Sequence, residues 1–146
     1  MAILGEASGW LIVVLAAATI PLPYLLRGRL LAPAGWGGIG YLERLRPHYW
    51  IGYTIAGLGV IHAGLAMSAP LFFGSAGFNA GLWIGTGAML LAIGQASVGH
   101  RMRALRGQER LRLRRLHFRL MMLLVGLGAL HIVLNGAVIR LALGLA

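Results

Sequence analysis

Residues 117–131 read HFRLMMLLVGLGALH, with two histidines closing an otherwise apolar run. Sixty-nine positions earlier, residues 48–62 read HYWIGYTIAGLGVIH, with the same length, the same histidine ends and the same GLG at the same offset. The upstream segments LERLRPH and RLRRLH are also alike. Aligning His48 with His117 keeps Gly57 with Gly126, Gly59 with Gly128 and His62 with His131. Histidine is costly in hydrocarbon unless it is paired, and here the same arrangement occurs twice. The pattern reads as a duplicated helical hairpin, although its first and third segments align poorly.

The surroundings of these stretches set the class of protein. Of 146 residues, 59% are hydrophobic and only 11% charged, and the mean hydropathy is +0.82. Ordinary soluble domains carry about 25% charged residues. Apolar stretches cover residues 8–26, 50–68, 78–99 and 120–139, each close to the ~20 residues that a helix needs to cross a ~30 Å hydrocarbon core. The expected helices span about 8–26, 48–68, 78–99 and 117–140, in a single domain over 1–146. Transmembrane strands would alternate over ~10 residues instead. The first stretch has no Lys or Arg before it and no clearly placed small-x-small site, so it is expected to be a retained helix rather than a signal peptide. The absence of cysteine excludes disulfides, thiolate metal sites and haem attachment through C-x-x-C-H.

All thirteen basic residues are arginines, against three acids, giving a net charge of +10. Arg27, Arg29, Arg44 and Arg46 fall between the first two apolar stretches, and eight arginines from Arg101 to Arg119 fall before or at the start of the fourth. The connection APLFFGSAGF, residues 69–78, has no charge. By the positive-inside rule both arginine loops face the cytoplasm and both termini lie outside, and a bacterial cytoplasmic membrane is the expected location. Helices two and four then run parallel. Juxtamembrane arginine is the ordinary case, so no nucleic-acid partner is expected.

A spacing of fourteen residues is close to four helical turns, so both histidines of each helix share a face, ~21 Å apart along the axis. On parallel helices they form two levels, His48 facing His117 toward the cytoplasm and His62 facing His131 toward the outer leaflet. Across the diagonal of a four-helix bundle, two imidazoles with a metal ~2 Å from each nitrogen fill the gap. That metal is most simply haem iron. Gly59 and Gly128 fall on the ligand face, where a missing side chain clears room for a flat macrocycle, whereas Gly57 and Gly126 point away and suit close helix packing.

Paired histidines fourteen apart on two helices of such a bundle resemble the transmembrane dihaem b-type cytochromes. The likeness is to the haem-bearing half of the cytochrome b of quinol:cytochrome c reductases and, more loosely, to ferric-reductase-like transmembrane domains. It implies an all-α integral membrane protein, an up-down-up-down four-helix bundle holding two haem b groups between helices two and four. His48 and His117 would bind the inner iron, and His62 and His131 the outer one.

Taken singly, each histidine reads more simply as a hydrogen-bonded packing residue, and it is their matched register that favours ligation. Zinc competes weakly, because each level lacks a third and fourth ligand. Arg44 and Arg114, one turn before the inner histidines, are candidates to pair with a haem propionate. Asn135, one turn after His131, could bond an outer propionate or a neighbouring helix. His100 is expected at the membrane interface, with a propionate or quinone contact as its functional alternative. Met121 and Met122 lack matching partners and read as packing residues. Pro21 and Pro23 are expected to kink the first helix, and Pro47 to start the second.

Iron held by two imidazoles has no open position for substrate, so the expected chemistry is electron transfer. The chain shows no dinucleotide fingerprint and no flavin site. A membrane subunit of a larger oxidoreductase is therefore expected rather than a complete enzyme, passing electrons between partner redox subunits and, in one version, quinone. A self-standing quinol or metal reductase is the alternative. A haem-free anchor or assembly subunit is the alternative of another class. The arginine segment 101–115 and the apolar connection 69–78 are the expected partner surfaces.

Overall fold

The computed structural model describes residues 2–27, 40–68 and 80–135, together with Gly144. Its elements are α1 (Ala2–Thr19), α2 (Leu22–Arg27), α3 (Tyr41–Arg44), α4 (Arg46–Met67), α5 (Ala80–Ala104) and α6 (Gly107–Asn135), with no strand among the described residues. Four helical spans are long and apolar enough to cross a membrane: Leu4–Leu26, Arg46–Met67, Ala80–Ala104 and Gly107–Asn135. A helix satisfies its own backbone hydrogen bonds, as lipid requires. The connection 69–78, Arg29 and residues 136–140 lie outside the described part.

The packing is inverted relative to a protein folded in water. Among the described residues only Leu26, Leu45 and Ala92 are buried apolar side chains, whereas Val14, Trp50, Trp83 and Leu90 are each about 60% exposed (61%, 62%, 60% and 60%). A soluble chain of 15.5 kDa would expose ~7,200 Å²; this one exposes 9970 Å². The exposed aromatics Tyr24, Trp50 and Trp83 lie near helix ends, where amphipathic rings suit the membrane interface. Around the bundle α1 packs on α4, α4 on α5, and α5 on α6.

Local sequence explains the helix ends. Pro21 has no N–H, so the first helix closes with Ile20 N–H donating to Ala16, and the chain restarts with Tyr24 and Leu25 donating to the Pro21 carbonyl. Pro47 stands in the first turn of α4, where a missing N–H costs nothing, and His48 follows it as expected. Three boundaries differ from the sequence reading, the first being α1, which starts at Ala2, six residues before the expected residue 8. Helix α5 runs on to Ala104, and α6 starts at Gly107, ten residues before the expected His117. The arginine segment is thus helical apart from Leu105 and Arg106. Hydropathy stops where arginine begins, but Arg, Leu, Gln and Glu are all good helix formers. Arg101 and Arg103 in the last turn of α5 and Glu109 in the first turn of α6 oppose the helix dipoles favourably.

The tight α5–α6 connection depends on Gly107, whose φ is 61°, a left-handed conformation that costs other residues roughly 1–2 kcal/mol. Replacing Gly107 with Val is expected to destabilise the bundle by at least ~1 kcal/mol. Gly126→Ala, at a site with nothing within 4 Å of an added Cβ, should leave the unfolding midpoint in detergent close to that of the parent.

Candidate functional site

The four histidines of the repeat meet in pairs. His62 and His131 have ring centres 6.1 Å apart with planes at 87°, and His48 and His117 have centres 6.3 Å apart at 71°. All four are half-buried. They line one large cavity of about 2130 Å³ inside the bundle, roughly twice the ~1,000 Å³ upper end of an ordinary small-molecule site. Gly59, Gly128, Arg44, Arg114, Asn135 and His100 line it as well.

The imidazoles of His62 and His131 are each aimed by a backbone carbonyl of the neighbouring helix. His62 Nδ1 donates to the Gly5 carbonyl at 2.9 Å, with Ser8 Oγ at 3.1 Å, and His131 Nδ1 donates to the Gly81 carbonyl at 2.8 Å. At the other level His48 lies against the Thr19 backbone and His117 against that of Gln95. Both are too poorly aligned for a full hydrogen bond, leaving the two Nδ1 atoms buried without a partner. Thr19 has a carbonyl to offer because Pro23, four residues on, has no N–H to claim it. When Nδ1 carries the proton, Nε2 keeps the lone pair, the tautomer that a metal ligand needs.

The spacings of these supporting residues repeat. Gly5 and Thr19 on α1 are fourteen apart, as are Gly81 and Gln95 on α5. Four residues beyond Gly5 and Gly81 stand Gly9 and Gly85, and their Cα atoms abut the rings of His62 and His131 so closely that a Cβ at Gly9 would lie 3.1 Å from the His62 ring and one at Gly85 would collide with His131. Gly99, fourteen after Gly85, faces His117 in the same way. The two hairpins are thus built alike in α1 and α5 too, where direct alignment is poor. The signal was present as glycines at 5, 9, 81, 85 and 99, in step with the histidines. It was missed because most residues between them differ, with Leu15 and Ala16 matching Leu91 and Ala92 in this register.

The donor set can be tested against the expected group. A metal 2.0–2.1 Å from two opposed nitrogens, each ~1.1 Å from its ring centre, sets the centres ~6.2–6.4 Å apart, close to both observed separations. Rings sharing such an axis turn freely about it, so near-perpendicular planes are no obstacle. Among the described residues no three of His, Cys, Asp or Glu gather to enclose a bare ion. A metal that brings its own in-plane donors, as haem iron does, needs only two axial nitrogens from the protein. Gly128 has nothing within 4 Å of an added Cβ and Gly59 only Met89 at 3.7 Å, so both leave the cavity wall clear. One side chain must move: the Gln95 amide nitrogen lies 3.3 Å from His117 Nε2, and ligation there requires it to turn aside. With that adjustment the residues fit the group.

Other expectations fare variously. Asn135 packs against Gly81 and sits 3.2 Å from His131 Nδ1, so it serves the histidine and the helix contact. His100 is exposed and its Nδ1 lies 2.8 Å from the Tyr53 hydroxyl, while Arg103 stacks over Tyr49 at 5.0 Å. Met121 lines the cavity and Met122 is 55% exposed. Gly57 and Gly126 are exposed with nothing within 4 Å of an added Cβ, so the close packing expected of them is not made among the described residues. Compared with protein families, curated proteins and solved structures, the chain matches none.

Gly85→Val places its branch into the His131 ring. If each imidazole pair holds a haem, the variant is expected to carry one fewer haem per chain than the parent, counted in purified protein. Gly87→Val, on the same helix with open space at its Cβ, should keep both.

Proposed function

We propose that the chain carries electrons across a membrane through two bis-histidine b-type haems, as the membrane subunit of a larger oxidoreductase. The observation that carries this reading is the pair of facing imidazoles at each of two levels, 6.1 and 6.3 Å between ring centres, with the Nδ1 atoms of His62 and His131 held by backbone carbonyls. The order of the contacts, His48 with His117 and His62 with His131, argues for parallel α4 and α6 and so for an up-down-up-down bundle. Both arginine-bearing connections then face the cytoplasm and both termini lie outside. A haem held by these histidines would supply reversible one-electron chemistry.

The residues of the chain have distinct tasks in this reading. His48 and His117 hold the inner iron, and His62 and His131 the outer one. Gly5 and Gly81 fix the outer imidazoles in the ligating tautomer, and Gly9 and Gly85 let those rings lie close to the neighbouring helix. Gly59 and Gly128 clear the faces of the macrocycles. Arg44 and Arg114, both on the cavity wall, neutralise the propionates of the inner group. The Tyr53–His100 pair stands where the cavity wall meets a smaller groove between α4 and α5. It offers a hydrogen-bonding contact for a quinone, which leaves exchange with the quinone pool as one route for the electrons.

The test is spectroscopic. Purified protein should show the sharp reduced α-band of bis-imidazole haem at two haems per chain. His62→Ala and His48→Ala should each remove one haem and leave the other. A purified chain without the α-band, or one whose haem content is unchanged in both variants, would refute the assignment and favour a haem-free anchor.

A further inference from the structure

Between Arg101 and Arg119 the chain carries eight arginines against one acid, Glu109, a formal charge of +7 in nineteen residues. The structure turns this segment from a loop into a projecting helical platform. Helix α6 runs through residues 107–119 before its apolar part begins at Leu120, about 20 Å at 1.5 Å per residue. The headgroup layer on one side of a bilayer is only ~5–8 Å thick. With the bilayer edge set at Leu120, where the arginine segment ends, about 12 Å of the helix, some two turns, reaches beyond the headgroups.

The exposed arginines Arg106, Arg112, Arg114 and Arg115 belong to this projection or its base, and Arg101 and Arg103 flank it at the end of α5. Underneath, Gly107, Arg110 and Arg114 line the inner end of the cavity, and His117 lies one turn further along the same helix. No aromatic residue occurs between 101 and 116, so the segment lacks the stacking rings that single-stranded nucleic-acid binders interleave with their cations. Its height argues against lipid headgroups as its main occupant.

We propose that this platform is the docking surface of an acidic, water-soluble redox protein, held by charge complementarity above the inner imidazole pair. Docking itself needs only the arginines; its use for electron exchange rests on the haem reading above. Paired surfaces of opposite charge speed encounter and favour one orientation, and the effect weakens as salt shortens the Debye length.

The experiment uses the full chain in neutral phosphatidylcholine nanodiscs. The probe is an acidic plant-type [2Fe–2S] ferredoxin, and the control is basic mitochondrial cytochrome c. Ferredoxin should bind at low ionic strength and at least tenfold more weakly at 0.5 M salt, while cytochrome c should not bind. Arg106→Gln with Arg112→Gln, neither of which lines the cavity, should weaken ferredoxin binding at least fivefold with haem content unchanged. Arg112→Gln alone serves if the double variant fails to fold. Absent ferredoxin binding, equal binding of cytochrome c, or full binding to the arginine variant overturns the proposal. So does loss of binding when phosphatidylglycerol makes up 30% of the lipid, since headgroups would then own the arginines. Binding is read without haem, so a chain lacking the α-band would sink the proposed function and leave the docking to be judged separately.

Discussion

An imidazole inside hydrocarbon must find a partner for its N–H, and the nearest donors and acceptors are backbone groups already used by their own helices. A carbonyl has a second lone pair, and in this chain the second lone pairs of Gly5 and Gly81 meet that need. Such bonds within membranes contribute only ~0.6–2 kcal/mol each, too little to hold four helices together. Their effect is directional. They select one tautomer, turn Nε2 into the bundle, and demand that α1 and α5 approach the rings closely. Glycine at 9, 85 and 99 follows from that approach.

Because the helices pack on their neighbours around a hollow, few apolar side chains are buried among the described residues. Leu26, Leu45 and Ala92 are those few, and the interior belongs to the cavity. The large apolar side chains point outward, where lipid rather than protein covers them. Apolar side chains form most of the cavity wall as well, with the four histidines among them, arginine at one end and Glu6 among the lining residues.

Much of this was legible in the sequence. Four helices follow from apolar length, and the pairing of His48 with His117 and His62 with His131 follows from a spacing of fourteen on two segments. The positions of Gly59 and Gly128 on the cavity wall follow from the helical wheel. The helical start of α6 was not legible, since a hydropathy reading treats arginine as the end of a span, whereas helix propensity does not. The carbonyl acceptors were hidden for another reason: a backbone atom has no letter in the sequence, and only a glycine or a proline nearby betrays it. Gly57 and Gly126 show the reverse error, because small residues on a helix permit contact without providing a neighbour.

The division of each site between the two hairpins has a consequence for how the protein is made. Neither hairpin holds a complete ligand pair: α4 brings His48 and His62, and their counterparts arrive only with α6, the last described helix to leave the ribosome. The two imidazole pairs are therefore completed late, after the first three spans have been made. Until then the first hairpin carries two unpaired imidazoles, of which His62 is already aligned by the Gly5 carbonyl. Assembly on this plan is a docking of two halves that are each incomplete alone.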